Sequence, residues 1–132
     1  MKKNPPLQNT DTFHKVRSRL IDAFAKLEQR VALALHSAGK PVKGDTLGAK
    51  LTTLKAQPGH VEANYDRLAE LVKFRADLVH GVMTFVDKDG ERFACFRNAR
   101  NVILQVQPAS LVNYRSLKEM AEEIERLSSA FD

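Results

Sequence analysis

The chain has 132 residues, 43% of them hydrophobic and 28% charged, and carries a net charge of +5 from 21 basic and 16 acidic side chains. That size suits one domain with one hydrophobic core, and the composition is that of a globular protein, not a disordered one. No apolar run approaches the roughly 18–20 residues of a membrane span, and the single cysteine, Cys95, excludes an internal disulfide and a cysteine-built zinc site.

A reducing, cytoplasmic setting is expected from this cysteine usage. The modest basic excess is compatible with a polyanionic partner such as RNA without demanding one. Met1-Lys2-Lys3-Asn4-Pro5-Pro6 has charge but no apolar stretch behind it, so it does not read as a secretory signal. Residues 1–10 are expected to be a disordered lead-in, and residues 11–132 one domain.

Asp11 or Thr12 is placed to cap a long first helix, with Phe13, Val16, Leu20, Phe24, Leu27, Val31 and Ala34/Leu35 in one stripe. Steps of three and four residues define a single helical face, and Gly39 and Pro41 stop the pattern after Ala38. The stripe suits an internal core and a subunit interface equally well. Asp45 is then expected to cap a short helix bearing Leu47, Leu51 and Leu54, which ends before Pro58-Gly59. Lys40, Lys43, Lys50 and Lys55 in this region read as a solvated face.

A third helix starting near His60 or Val61 carries Val61, Tyr65, Leu68, Val72, Arg75 and Val79, and a neighbouring stripe runs Leu68-Leu71-Arg75-Leu78. Both stripes include Arg75, so a guanidinium falls in the middle of an apolar face. Gly81 is expected to close this helix in the left-handed conformation. Past Gly81 the period becomes 2: Val82-Met83-Thr84-Phe85-Val86 and Arg92 to Arg97 flank Asp87-Lys88-Asp89-Gly90, an Asp-Gly hairpin signal. Asn101 to Val106 can add a third strand, which extends the hairpin region to about 82–106. Ser116-Leu117-Lys118-Glu119 matches a capping box, so a closing helix is expected at about 116–131 with Leu117, Met120, Ile124, Leu127 and Phe131 on its apolar face. The fold class is α+β and mainly helical: three helices, a hairpin or small antiparallel sheet, and a last helix.

The sequence lacks a phosphate-cradling glycine loop, a His-x-x-x-His or Cys-His ligand cluster and a Gly-x-Ser-x-Gly elbow. No metal or cofactor is therefore expected. His14, His36 and His60 are scattered over different elements, and Cys95 lies between strand residues where a buried thiol is the ordinary case.

Arg75 and His80 carry the chemistry. An arginine on an apolar face needs a partner or a polar cavity, because burying an unpaired guanidinium costs several kcal/mol. It could snorkel or pair with a carboxylate such as Asp77 or one on the last helix. It could equally grip a phosphate, with His80 moving protons near neutral pH. In RNA the nucleophile is the neighbouring 2′-hydroxyl. Five residues turn a helix about 140° beyond a full circle, so the two side chains do not stack. They converge only if the helix end loosens at Gly81, or if two copies of the helix meet across a two-fold axis.

At these residues the chain resembles the HEPN family, whose signature is Arg, four to six residues, then His near a helix end; here it is Arg75-Ala76-Asp77-Leu78-Val79-His80, followed by Gly81. The resemblance spans the helical order of about residues 12–82. It implies a helical domain that dimerises and acts as a metal-independent endoribonuclease on RNA, with His80 in proton transfer, Arg75 on the phosphate, Asp77 in support, and a 2′,3′-cyclic phosphate as product. It also allows a protein partner or inhibitor. Two positions depart from the family pattern. Ala76 stands where Asn, Asp or His usually follows the Arg, and Val82 where one subclass has Tyr, so pairing with a minimal nucleotidyltransferase antitoxin is not expected. Beside the nuclease stand two other readings: a non-catalytic module of the same fold that holds RNA, a nucleotide or a protein, and an unrelated helical domain in which Arg75 and His80 are structural. Whether the first or the third helix would form the dimer contact stays open at this level.

Overall fold

The apolar stripe of the first helix is the spine on which the other elements pack in the computed structural model of the chain, which describes residues 7–40, 46–56, 65–98 and 111–131. Helix α1 runs Thr10–Ser37, α2 Leu47–Lys55, α3 Tyr65–His80 and α4 Tyr114–Ser128, and a 3-10 turn, Ser129–Phe131, follows α4. Phe13, Val16, Leu20, Phe24, Leu27, Val31 and Leu35 are all buried, which makes the stripe an intramolecular core. Helices α2, α3 and α4 supply Leu47, Leu51, Leu54, Leu68, Leu71, Leu78, Leu117, Ala121 and Ile124 to the same core.

Strands β1 (Val82–Lys88), β2 (Glu91–Arg97) and β3 (Leu111–Asn113) form an antiparallel sheet in the order β1-β2-β3. The β1–β2 turn is the two residues Asp89 and Gly90, at φ 53° and 77°. Two consecutive positive φ values are what a tight primed turn needs, which explains the Asp-Gly choice. Met83 pairs with Phe96 and Phe85 with Ala94. These residues face the helices, where Phe85 meets Phe13 edge-on at 5.3 Å between ring centroids. The architecture is thus α+β, mostly helical, with four helices and one small sheet.

Several expectations need correction. The first helix is capped by Asn9, whose side chain accepts from the Asp11 amide, and not by Asp11 or Thr12. Of the expected lead-in, Thr10 already belongs to α1 and the Gln8 carbonyl accepts from Arg92 at 3.3 Å; residues 1–6 lie outside the described residues. The cap of α2 is Thr46, while the expected cap Asp45, the region of the expected α3 start at His60 or Val61, and the expected strand Asn101 to Val106 also lie outside them. The third strand described is Leu111–Asn113. It runs straight into α4, so Asn113 becomes the cap and accepts from the Ser116 amide at 2.8 Å. The apparent capping box therefore falls inside the helix, and Glu119 pairs with Arg115 at 3.1 Å instead.

Candidate functional site around Arg75 and His80

Helix α3 stays regular to its end. The Gly81 amide donates to the Asp77 carbonyl at 2.8 Å, an ordinary i to i−4 helical bond. Gly81 is not in the left-handed region, where the described glycines are Gly39 and Gly90. It is needed for another reason. A Cβ at this position would lie 2.3 Å from the Asp77 carbonyl oxygen and 3.3 Å from the Phe96 Cβ.

Two carbonyls at the helix end, those of Leu78 and Gly81, are taken by Arg17 of α1. Its Nε and Nη2 donate to the Leu78 carbonyl at 3.0 and 2.8 Å, and Nη2 also donates to the Gly81 carbonyl at 2.8 Å. The same guanidinium lies 5.8 Å from the centroid of Phe96, whose ring meets Phe74 edge-on at 5.3 Å. A cation at the negative end of a helix dipole satisfies orphan carbonyls and opposes the partial charge at once.

His80 closes α3 as an exposed side chain. Because the helix does not loosen at Gly81, His80 does not swing round to Arg75 within one chain. Asp77 accepts a hydrogen bond from the Asn98 amide group, just past β2. It is therefore turned towards the sheet and is not the partner of Arg75.

The partner of Arg75 is Glu28 of α1: Nη2 donates to Oε2 at 3.3 Å, with the Arg75 side chain 34% exposed. The other carboxylate oxygen of Glu28 receives Lys50 Nζ from α2, at 3.5 Å. Lys50 is buried, contrary to the solvated role expected of it. Three helices thus meet at one carboxylate held between two cations. Arg75 Nε is buried and has no acceptor among the described residues.

Glu28, Lys50 and Arg17 escape a search for motifs, yet two of them carry the signal that marks Arg75. Lys50 is spaced with Leu47 and Leu54 on the buried side of α2, and Arg17 falls four residues after Phe13 and three before Leu20. Glu28 follows Leu27 on the flank of the stripe and carries no such mark.

Two clefts over the described residues lie elsewhere. One of 420 Å3 between α1 and α4 is lined by Lys15, Arg19, Asp22, Lys26 and Glu125, and one of 220 Å3 between α2 and α3 by Leu51, Lys55, Tyr65 and Asp66. Neither includes Arg75 or His80. Among the described residues no group of three or more His, Cys, Asp or Glu side chains is placed to hold a metal ion, and no helix is long and apolar enough to cross a membrane. No protein-family model, curated protein or solved structure matches the chain.

Proposed function

We propose that the protein is a HEPN-like, metal-independent endoribonuclease that acts as a homodimer in the cytoplasm. The observation that supports this most is the regular end of α3. It leaves His80 exposed and Arg75 one-third exposed on different faces of one helix, so the pair can meet at one phosphate only when two subunits contribute. In the composite cleft, neutral His80 takes the proton of a ribose 2′-hydroxyl, whose oxygen attacks the adjacent phosphorus. Arg75 stabilises the charge that grows on the non-bridging oxygens. The bond from phosphorus to the 5′-oxygen breaks, a protonated histidine supplies the proton to that oxygen, and the products carry a 2′,3′-cyclic phosphate and a 5′-hydroxyl.

A second reading is favoured by the contact between Arg75 and Glu28 together with Ala76. An arginine already engaged by a carboxylate, in a motif without the usual polar neighbour, suits a non-catalytic module that binds RNA, a nucleotide or a protein partner.

The test is incubation of the purified protein with mixed RNA in EDTA, beside His80→Ala and Arg75→Ala. Cleavage by the wild type alone, ending in cyclic phosphate, is the expected result. Equal cleavage by all three proteins, or by none, would sink the nuclease reading. A monomer by light scattering at micromolar concentration removes the composite cleft. Salt-dependent RNA binding without products is the outcome that selects the binding module.

A further inference from the structure

We propose that Lys50 and Arg75 form a phosphodiester-binding site on each subunit, and that Glu28 fills it when no RNA is bound. The proposal rests on RNA being the ligand of the Arg75 region, as argued above, but not on cleavage.

Charge is the first argument. Arg75 and Lys50 share the single carboxylate of Glu28, which leaves one positive charge without an ion-pair partner among the described residues where three helices meet. The Lys50 side chain is only 11% exposed and that of Arg75 34%. A cation held out of water without a full counter-charge is unfavourable unless an anion completes it.

Geometry is the second. Hydrogen bonds between charged groups close to about 2.7–2.9 Å, whereas these contacts stand at 3.3 and 3.5 Å. Each cation touches a different oxygen of Glu28, so the carboxylate bridges them without closing on either. Arg75 Nε is buried with no acceptor among the described residues, which leaves unused one donor of the Nε and Nη2 edge that grips an oxyanion bidentately. A phosphodiester offers two non-bridging oxygens in place of the two of Glu28, on a group that can approach Arg75 and Lys50 together. Glu28 would swing towards solvent as the phosphate enters, a motion its one-third exposure permits.

The burial of Lys50 is the third. A lysine spaced with Leu47 and Leu54 would be better replaced by an apolar residue if packing alone decided it. Its ammonium ends at the carboxylate that faces Arg75, so the two cations converge from α2 and α3 on one point.

The test measures binding of a 2′-O-methyl oligoribonucleotide, which has no free 2′-hydroxyl and cannot be cut by this chemistry. Fluorescence anisotropy at low salt is compared for the wild type, Lys50→Gln, Lys50→Arg and Glu28→Gln. Lys50→Gln is expected to weaken binding about tenfold, the worth of one charge-assisted phosphate contact, and to reduce the salt dependence by about one counterion. Lys50→Arg should keep most of the affinity. Glu28→Gln should bind several-fold more tightly, a gain that partial unfolding cannot imitate, and inorganic phosphate should compete with the oligonucleotide less well for Lys50→Gln than for the wild type. Equal affinity of Lys50→Gln, Glu28→Gln and the wild type would overturn the proposal. RNA left uncut while these differences persist refutes the nuclease and keeps the site; cutting with no dependence on Lys50 or Glu28 does the reverse.

Discussion

Arg17 and Leu78, separated by 61 residues, are joined by two hydrogen bonds from one guanidinium to one carbonyl, at 3.0 and 2.8 Å. With the further bond to the Gly81 carbonyl at 2.8 Å, this arginine locks the end of α3 to α1 and sets where His80 projects. Arg17→Met should destabilise the fold by about 2–4 kcal/mol, because it removes charge-assisted bonds and leaves carbonyls unpaired. Arg17→Lys should recover only part of that loss, since an ammonium lacks the planar fork. Urea denaturation of the three proteins is the measurement, and a wild-type midpoint for Arg17→Met would contradict this role.

Gly81 is required by contact, and the consequence differs from that of a left-handed closure. At a left-handed position Asn substitutes tolerably well for Gly. Here any Cβ meets the Asp77 carbonyl oxygen at 2.3 Å, so Gly81→Ala and Gly81→Asn should both destabilise, by about 2 kcal/mol or more. Thermal melts of the two variants decide it; a mild Asn variant beside a harmful Ala variant would restore the left-handed account.

Much of the fold was legible because its signals are local. The seven-residue stripe of α1 and the Asp89-Gly90 turn each depend on spacing within one segment, and both elements are present. The misses came where a distant partner or an adjoining element decided the outcome. Ser116 looked like a cap until β3 ended directly on α4 and placed Asn113 there. Lys50 reads as solvated because its segment also carries Lys40, Lys43 and Lys55, while its ammonium is paired by Glu28 of α1. Arg75 was conspicuous as a misfit, but nothing local to α3 pointed to a carboxylate 47 positions away. A misplaced charge can be recognised from periodicity; its counter-charge requires the packing of helices.

The contact between Arg19 and Glu125 ties α1 to α4, with Nε and Nη2 donating to the two carboxylate oxygens at 2.6 and 3.1 Å. The hydrogen bond from Arg19 holds the Glu125 carboxyl below its ordinary value, and the attraction of Arg19 and Lys26 adds to this. A carboxyl lowered in the folded state contributes stability that is complete above the unfolded value of about 4.3 and disappears as pH falls through the folded value. Both side chains are more than two-fifths exposed, so the contribution should stay below about 1 kcal/mol. Glu125→Gln should therefore melt slightly below the wild type at neutral pH, with the two curves converging in acid. A difference that grows as pH is lowered would contradict this assignment.

The Glu28 cluster makes a prediction about stability that separates a ligand site from a structural brace. If Arg75 were a brace, Arg75→Met would cost about 3–5 kcal/mol, as removal of one partner of a buried ion pair does. In the arrangement seen, Glu28 keeps Lys50 when Arg75 is lost, and a buried donor with no acceptor among the described residues, Arg75 Nε, is lost with it. Arg75→Met should then cost less than about 1 kcal/mol. Glu28→Gln should cost more, about 1–3 kcal/mol, because it leaves two cations facing a neutral amide. The double variant Glu28→Gln with Arg75→Met should be more stable than Glu28→Gln alone, a coupling that a double-mutant cycle in urea detects directly. Unfolding of Arg75→Met by itself would make the arginine a structural residue. The expected order instead makes Glu28 the group that neutralises a site built from two cations, which is the condition under which an incoming phosphate can replace it.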